Sequence, residues 1–327
     1  MKKNKGKLER NKYGYIFIAP FFLVYLLFQL YPLILTFYYS VNEYYFRNNK
    51  LKDGGYIGLQ NFKKVLGIGS DGGILDSNFV LYLKNTGIIW LGNFIPQLIF
   101  SLLVAAWLTN NKAKLKAGGI YKILVYLPNI ITAASIATLF RAMFSKLGPM
   151  TTLLRNMHII SEDFDFMSSA AGSRGLISFI LFWMWYGNTS LLLISGMLGI
   201  NESLYEAADI DGANGRQKFF RITLPLLRPI LVYVLITSAI GGLQMYDIPA
   251  LFNNTGNSYV GGPDDKTTTM TMYIMRLFST SRDYGRAAAV SVLLFIITII
   301  ISIIFLFTVG NTGNADEVKK KKKGGAK

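Results

Sequence analysis

The sequence holds no cysteine and a single histidine, His158, in 327 residues. A disulfide framework is therefore excluded, and His158 has no companions for a metal site. Charge is scarce as well: 16% of residues are Asp, Glu, Lys or Arg, against about 25% in an ordinary soluble domain. No Gly-x-x-x-x-Gly-Lys-Ser/Thr segment occurs, so the chain carries no phosphate-binding loop of that kind. Gly67-Ile68-Gly69-Ser70-Asp71-Gly72 matches the letters of a dinucleotide fingerprint. It follows no strand pattern and reads as an ordinary loop. The cores of the long apolar runs hold no carboxylate and no imidazole. That counts against a proton-coupled carrier and against an intramembrane protease, both of which need such groups at mid-membrane. Ion coupling through backbone carbonyls stays open.

What is abundant is apolar sequence: 52% of residues are hydrophobic, 14% are aromatic, and the mean hydropathy is +0.36. Six runs of at least 18 residues lack any charge: 13–42, 85–111, 123–140, 175–201, 229–246 and 287–315. A membrane-crossing helix needs about 20 apolar residues, because it rises about 1.5 Å per residue through about 30 Å of hydrocarbon. The predicted fold is thus all-α, with six transmembrane spans at about 13–40, 85–109, 120–143, 175–200, 226–247 and 287–309. Lys122, Arg141 and Arg228 flank the shorter runs and can reach the interface. Run 248–263 is uncharged too, but Asn253-Asn254-Thr255-Gly256-Asn257-Ser258 makes it a predicted loop. The first run is too long for a signal peptide and lacks a small-residue cleavage site, so it is expected to stay attached. Pro20, Pro32, Pro96 and Pro249 are candidate kinks. Segments 43–84, 142–174 and 247–286 connect the spans, with a short helix expected around Leu59–Leu66.

Charge orients the chain. The segments on the side of the termini (a basic stretch 1–12, 109–119 with Lys112, Lys114 and Lys116, 202–228, and a tail 311–327) hold 19 basic and 7 acidic residues. The opposite loops hold 13 basic and 11 acidic residues. The positive side faces the cytoplasm, so both termini are expected there. This asymmetry accounts for the formal charge of +16 without nucleic acid. The Lys319–Lys323 run is expected beside anionic lipid.

One cytoplasmic segment is unusually patterned: Ser203-Leu204-Tyr205-Glu206-Ala207-Ala208-Asp209-Ile210-Asp211-Gly212-Ala213-Asn214-Gly215, then Arg216 to Phe219, Phe220, Leu224 and Pro225. Ser203 and Glu206 form a predicted capping box, and the acids suit a helix start. Ala207 and Ala208 leave a low surface that another protein can approach. Gly212 suits a left-handed stop, and Gly215 offers a second turn. A second short helix is expected to follow, ended by Pro225. The segment reads as a rigid helix–turn–helix knob; an amphipathic connector is the plain alternative.

Glu206-Ala207-Ala208, Asp211-Gly212-Ala213 and Gly215, followed by Phe219, Ile222 and Leu224-Pro225, resemble the cytoplasmic loop signature of binding-protein-dependent ABC permeases. The resemblance extends over nearly the whole chain. Ala19-Pro20, Tyr31-Pro32, Gly58-Leu59-x-Asn61-Phe62, Asn85-Thr86, Leu127-Pro128, Gly261-Gly262-Pro263, Thr267–Thr269 and Tyr284-Gly285-x-Ala287-Ala288 are similar to the sugar-uptake branch. They resemble the first permease of oligosaccharide and glycerol-phosphate importers, without the extra spans and inserted domain of the maltose system. The resemblance implies a subunit that is not itself an enzyme and carries no cofactor. Its implied partners are a second permease, two ATP-binding subunits that hold ATP and Mg, an extracellular solute-binding protein, a sugar and the bilayer. The knob would be the coupling helix seated in the ATPase. A permease for a non-sugar solute and a secondary carrier are the alternatives. Sugars offer apolar CH faces and many hydroxyls, so aromatics beside amides suit a pathway. The candidates are Trp185, Tyr186 and Asn188 in span 4 and Gln244, Tyr246 and Asp247 in span 5; belt or packing roles are the alternative.

Overall fold

The computed structural model describes residues 5–48, 50–69, 73–75, 77–109, 118–253 and 261–310, with side chains from residue 13 onward. Lys112, Lys114, Lys116 and the Lys-rich tail lie outside the described residues. The chain divides into two compact units: 1–77 with 274–293, and 78–273 with 294–327.

In the first unit, α1 (Lys5–Tyr25) passes through one widened turn, Leu26–Leu30, into α2 (Tyr31–Ser40). Pro32 follows the widened turn, in which Tyr31 N–H reaches back to Leu26 O; a proline cannot make the ordinary helical bond at its own position. A hairpin of β1 (Asn42–Arg47) and β2 (Lys50–Tyr56) follows, antiparallel, with an irregularity at Glu43/Tyr44. The all-α expectation missed this hairpin; Tyr44, Tyr45 and Phe46 are good strand formers, but their partner Lys50-Leu51-Lys52-Asp53-Gly54-Gly55-Tyr56 is polar and holds two glycines, residues poor in strands. The expected short helix is present as α3 (Gln60–Leu66), closed by Gly67 at φ +68°. Buried Asn61 donates from Nδ2 to Ser40 O (3.0 Å) and Asn42 O (2.9 Å), pinning α3 to the end of α2. A Cβ on Gly285 would stand 2.8 Å from Asn42 O, so glycine lets that backbone pass.

The second unit is built on α4 (Asn78–Leu108), α5 (Gly118–Ile130), α6 (Ala133–Met143), α7 (Pro149–Asn156) and α8 (Ala170–Leu198). It continues with α9 (Glu202–Ile210), α10 (Gly215–Lys218), α11 (Leu224–Leu226), α12 (Arg228–Leu243) and α13 (Asp247–Asn253). α14 (Met270–Met275) begins there, and α15 (Tyr284–Phe305) ends there. Helix α4 packs along α8 around a core of Ile89, Trp90, Phe94, Ile177, Ile180 and Met184. Gly187 makes room for α5, since a Cβ there would lie 2.0 Å from Val125 O.

Five helical stretches are long and apolar enough to cross a membrane, and six if a bent pair counts as one. The bent pair occupies the expected span 120–143. α5 and α6 meet at 83°, where Thr132 leaves the helix (φ −66°, ψ 143°) and its Oγ1 caps Ser135 N. Two further expectations move. Helix α4 starts seven residues before Asn85 and takes in Lys84, and the predicted loop from 248 opens as α13. Residues 254–260 lie outside the described set.

Candidate functional site

Two places in the second unit gather the predicted residues. The first is a cavity of about 530 Å³ between α4, α8, α12 and the start of α13. It contains Trp185, Asn188, Gln244, Tyr246 and Asp247. Tyr186 is not in the lining. One helical position from Trp185 is a turn of about 100°, and it aims Tyr186 at Phe100 of α4, edge to face at 5.2 Å. The Tyr186 carbonyl accepts hydrogen bonds from Ser101 Oγ (2.8 Å) and Ser190 Oγ (2.7 Å).

Sequence reasoning missed the wall supplied by α4 and α12. Trp90, Asn93 and Gln97 stand at i, i+3 and i+7 on one face of α4, a spacing that could have marked them. Tyr233, Thr237 and Ser238 face them from α12. Trp90 Nε1 donates to Ser238 Oγ (3.1 Å), and Gln97 Nε2 donates to Thr189 Oγ1 (2.7 Å). The cavity thus joins aromatic faces to amide and hydroxyl groups already fixed in orientation, the arrangement that suits a polyhydroxylated ligand.

Beside it lies a knot of buried polar groups built from the predicted motif residues. Arg174 donates from Nη2 to Asn85 Oδ1 and from Nε to Lys266 O (2.6 Å). Asn85 Nδ2 reaches Asp265 O (3.0 Å) and Thr268 O (3.2 Å). Thr267, Thr268 and Thr269 are fully buried. Their hydroxyls donate to Gly261 O (2.5 Å), Asp265 Oδ1 (3.2 Å) and Met245 O (2.9 Å). Gly262, at φ +66°, takes a conformation few other residues adopt. The Thr269–Met245 bond ties this knot to the cavity lining.

The second place is the knob. α9 is capped by Asn201, whose Oδ1 accepts from Ser203 N (3.1 Å), so the predicted Ser203–Glu206 box is displaced by two residues. The reciprocal box forms instead at Asn214 and Gln217, opening α10. Asp211 ends α9, and Gly212 turns the chain at φ +71°, as its spacing implied. Gly215 supplies no second turn; it is the first residue of α10. Pro225 does not end the second helix. After the widened turn Phe219–Thr223 the chain stays helical through Leu226 and enters α12 at Arg228. Ala208 is buried while Ala207 is exposed, so one alanine packs inward and the other faces out. The Lys218 ammonium pairs with Asp209, and Tyr205 Oη lies 2.8 Å from Thr223 Oγ1, locking α9 to the following turn. Glu206 is exposed, and Ile210 at the tip is 87% exposed.

Long apolar helices that enclose a polar-lined cavity define a polytopic membrane protein of the transport class. The chain belongs to the family of binding-protein-dependent transport system inner membrane components, whose model matches residues 66–311. It is 29% identical to the lactose transport system permease protein LacF of Rhizobium radiobacter, over 88% of this chain and 91% of that one. It is 30% identical to the arabinooligosaccharides transport system permease protein AraP of Bacillus subtilis (strain 168), over 89% and 87%. Its fold matches a bacterial ABC transporter that imports the acidic polysaccharide alginate, with a TM-score of 0.71, 19% identity, and 93% and 97% of the two chains covered.

Proposed function

We propose that this chain is the sugar-translocating permease of an ATP-driven importer and contributes one side of the pathway. The family places it in a binding-protein-dependent system, and relatives named for lactose and arabinooligosaccharides support a sugar cargo. The observation that carries the reading is the cavity. Trp90, Trp185, Tyr233 and Tyr246 line it together with Asn93, Gln97, Asn188 and Gln244. Aromatic faces take the apolar side of a sugar ring, while amides bond its hydroxyls.

The remaining parts follow from the system this family serves. An extracellular solute-binding protein delivers the sugar to the side opposite the termini. A second, similar permease supplies the other half of the pathway. Two ATP-binding subunits, which hold ATP and Mg, grip the knob at 201–225 from the cytoplasm. ATP closure favours the outward-open state only through contacts made in that state, so the knob must be rigid to transmit them. Its ion pair, capping box and Tyr205–Thr223 contact support that rigidity.

The test is uptake by the assembled importer with Asn188→Ala and Gln244→Ala. Each change is expected to weaken uptake several-fold at normal membrane abundance, since each removes hydrogen bonds to cargo worth about 0.5–1.5 kcal/mol. Unchanged kinetics in both variants would remove the cavity from the pathway.

A further inference from the structure

We infer that Asp247 selects cargo by charge, so that this pathway takes uncharged glycans and turns away those bearing carboxylates. The inference rests on the cavity being the sugar site. Asp247 is the one charged side chain in the lining; no Lys, Arg or His accompanies it. It is exposed at the first turn of α13, and no described Lys or Arg pairs with it. Arg174 is spent on Asn85 and the Lys266 carbonyl and does not line the cavity.

Hydrogen-bonding capacity points the same way. Gln97 Nε2 donates to Thr189, Asn93 Nδ2 to Ile89 O (3.0 Å), Trp90 Nε1 to Ser238, and Thr237 Oγ1 to Tyr233 O (2.8 Å). One N–H each of Asn93 and Gln97 is used this way, along with the Trp90 and Thr237 donors, so the lining keeps neutral acceptors and donors but no cation. Acceptors suit sugar hydroxyls, which donate. A uronate carboxylate only accepts and is held best by Arg or Lys. A carboxylate brought into the same cavity is repelled by Asp247, with no lining cation to offset it.

The test uses the assembled transporter in lipid nanodiscs, without binding protein. Maltotriose, cellotriose and galactotriose are each compared with their C6-oxidised uronate forms by equilibrium dialysis. For a neutral glycan that binds, the uronate is expected to bind at least about tenfold more weakly, and about 1 M KCl should narrow that gap because the screening length falls to about 3 Å. In Asp247→Asn the neutral-to-uronate ratio should fall toward one, and in Asp247→Lys it should invert. Equal binding of both forms to the unmodified transporter, or a ratio unmoved by either substitution, would overturn charge selection alone. If no neutral glycan binds, the cavity is not the sugar site and both readings fall.

Discussion

The Trp90 indole fills the space that a Cβ on Gly242 would need, its Cδ1 lying 2.0 Å from that point. Trp90 also donates to Ser238 one turn earlier on α12, so the ring is clamped between two positions of that helix. Gly242→Val must displace the ring into the cavity. The expected cost is about 1–3 kcal/mol of stability, typical of overpacking, with uptake reduced beyond what the loss of folded protein explains. Thermal unfolding of the purified transporter beside uptake per folded molecule checks this.

Arg174 holds Asn85 and the Lys266 carbonyl together inside the second unit. Arg174→Ala leaves both without that partner, at a cost of about 1.5–3 kcal/mol, the usual worth of a hydrogen bond to a charged group. Arg174→Lys keeps the charge but not the fork, so it is expected to recover only part of the loss. Melting temperatures of the three proteins, measured side by side, decide it.

Asp165 titrates below the usual carboxylate range. Burial alone would raise it, but hydrogen bonds from Ser168 Oγ (2.6 Å) and Met167 N (2.9 Å), with the positive charges of Lys146 and Arg155, outweigh that effect. A carboxyl depressed in the folded state contributes stability above its unfolded pKa of about 3.9 and loses it as pH falls through the lower folded value. Pepsin should therefore cut the 157–169 connection progressively faster below about pH 4. Asp165→Asn should be cut fast across that range. A flat pH response in the unmodified chain would remove this role.

Much of this was legible in the sequence because the governing physics is local. Uncharged runs mark spans, and Gly212 marks a turn that needs a positive φ. What was hidden depends on partners distant along the chain. Tyr186 reads like Trp185 in sequence, yet 100° of helix rotation sends it to Phe100. Asn93 and Gln97 look like incidental polar residues in an apolar run until α12 and Thr189 face them. Asn201 outcompeted Ser203 as the cap because its Oδ1 reaches Ser203 N, a choice between two good capping residues that spacing does not make. The bend at Thr132 was masked by composition, since the uncharged run 123–140 crosses it without a break.

Sidedness can be read directly, because the chain has no native cysteine. Single cysteines replacing Lys114 and Asn214 are expected to resist an impermeant thiol reagent in intact cells and to label once the membrane is opened. Labelling of either from outside would invert the topology.

The knob carries the central claim, and Gly212 is its weakest point. At φ +71°, Gly212→Val places a β-branched residue in the left-handed region, at a cost of about 1–3 kcal/mol, and misdirects α9. Ala207→Trp fills an exposed surface where the ATPase would sit, without disturbing buried Ala208. The most direct measurement is sugar uptake together with ATPase stimulation by loaded binding protein, in vesicles holding the whole importer. Both variants are predicted to reach the membrane at normal abundance, to lose uptake, and either to shed the ATPase or to lose its stimulation. Unmodified values in both assays for both variants would show that 201–225 only connects two spans.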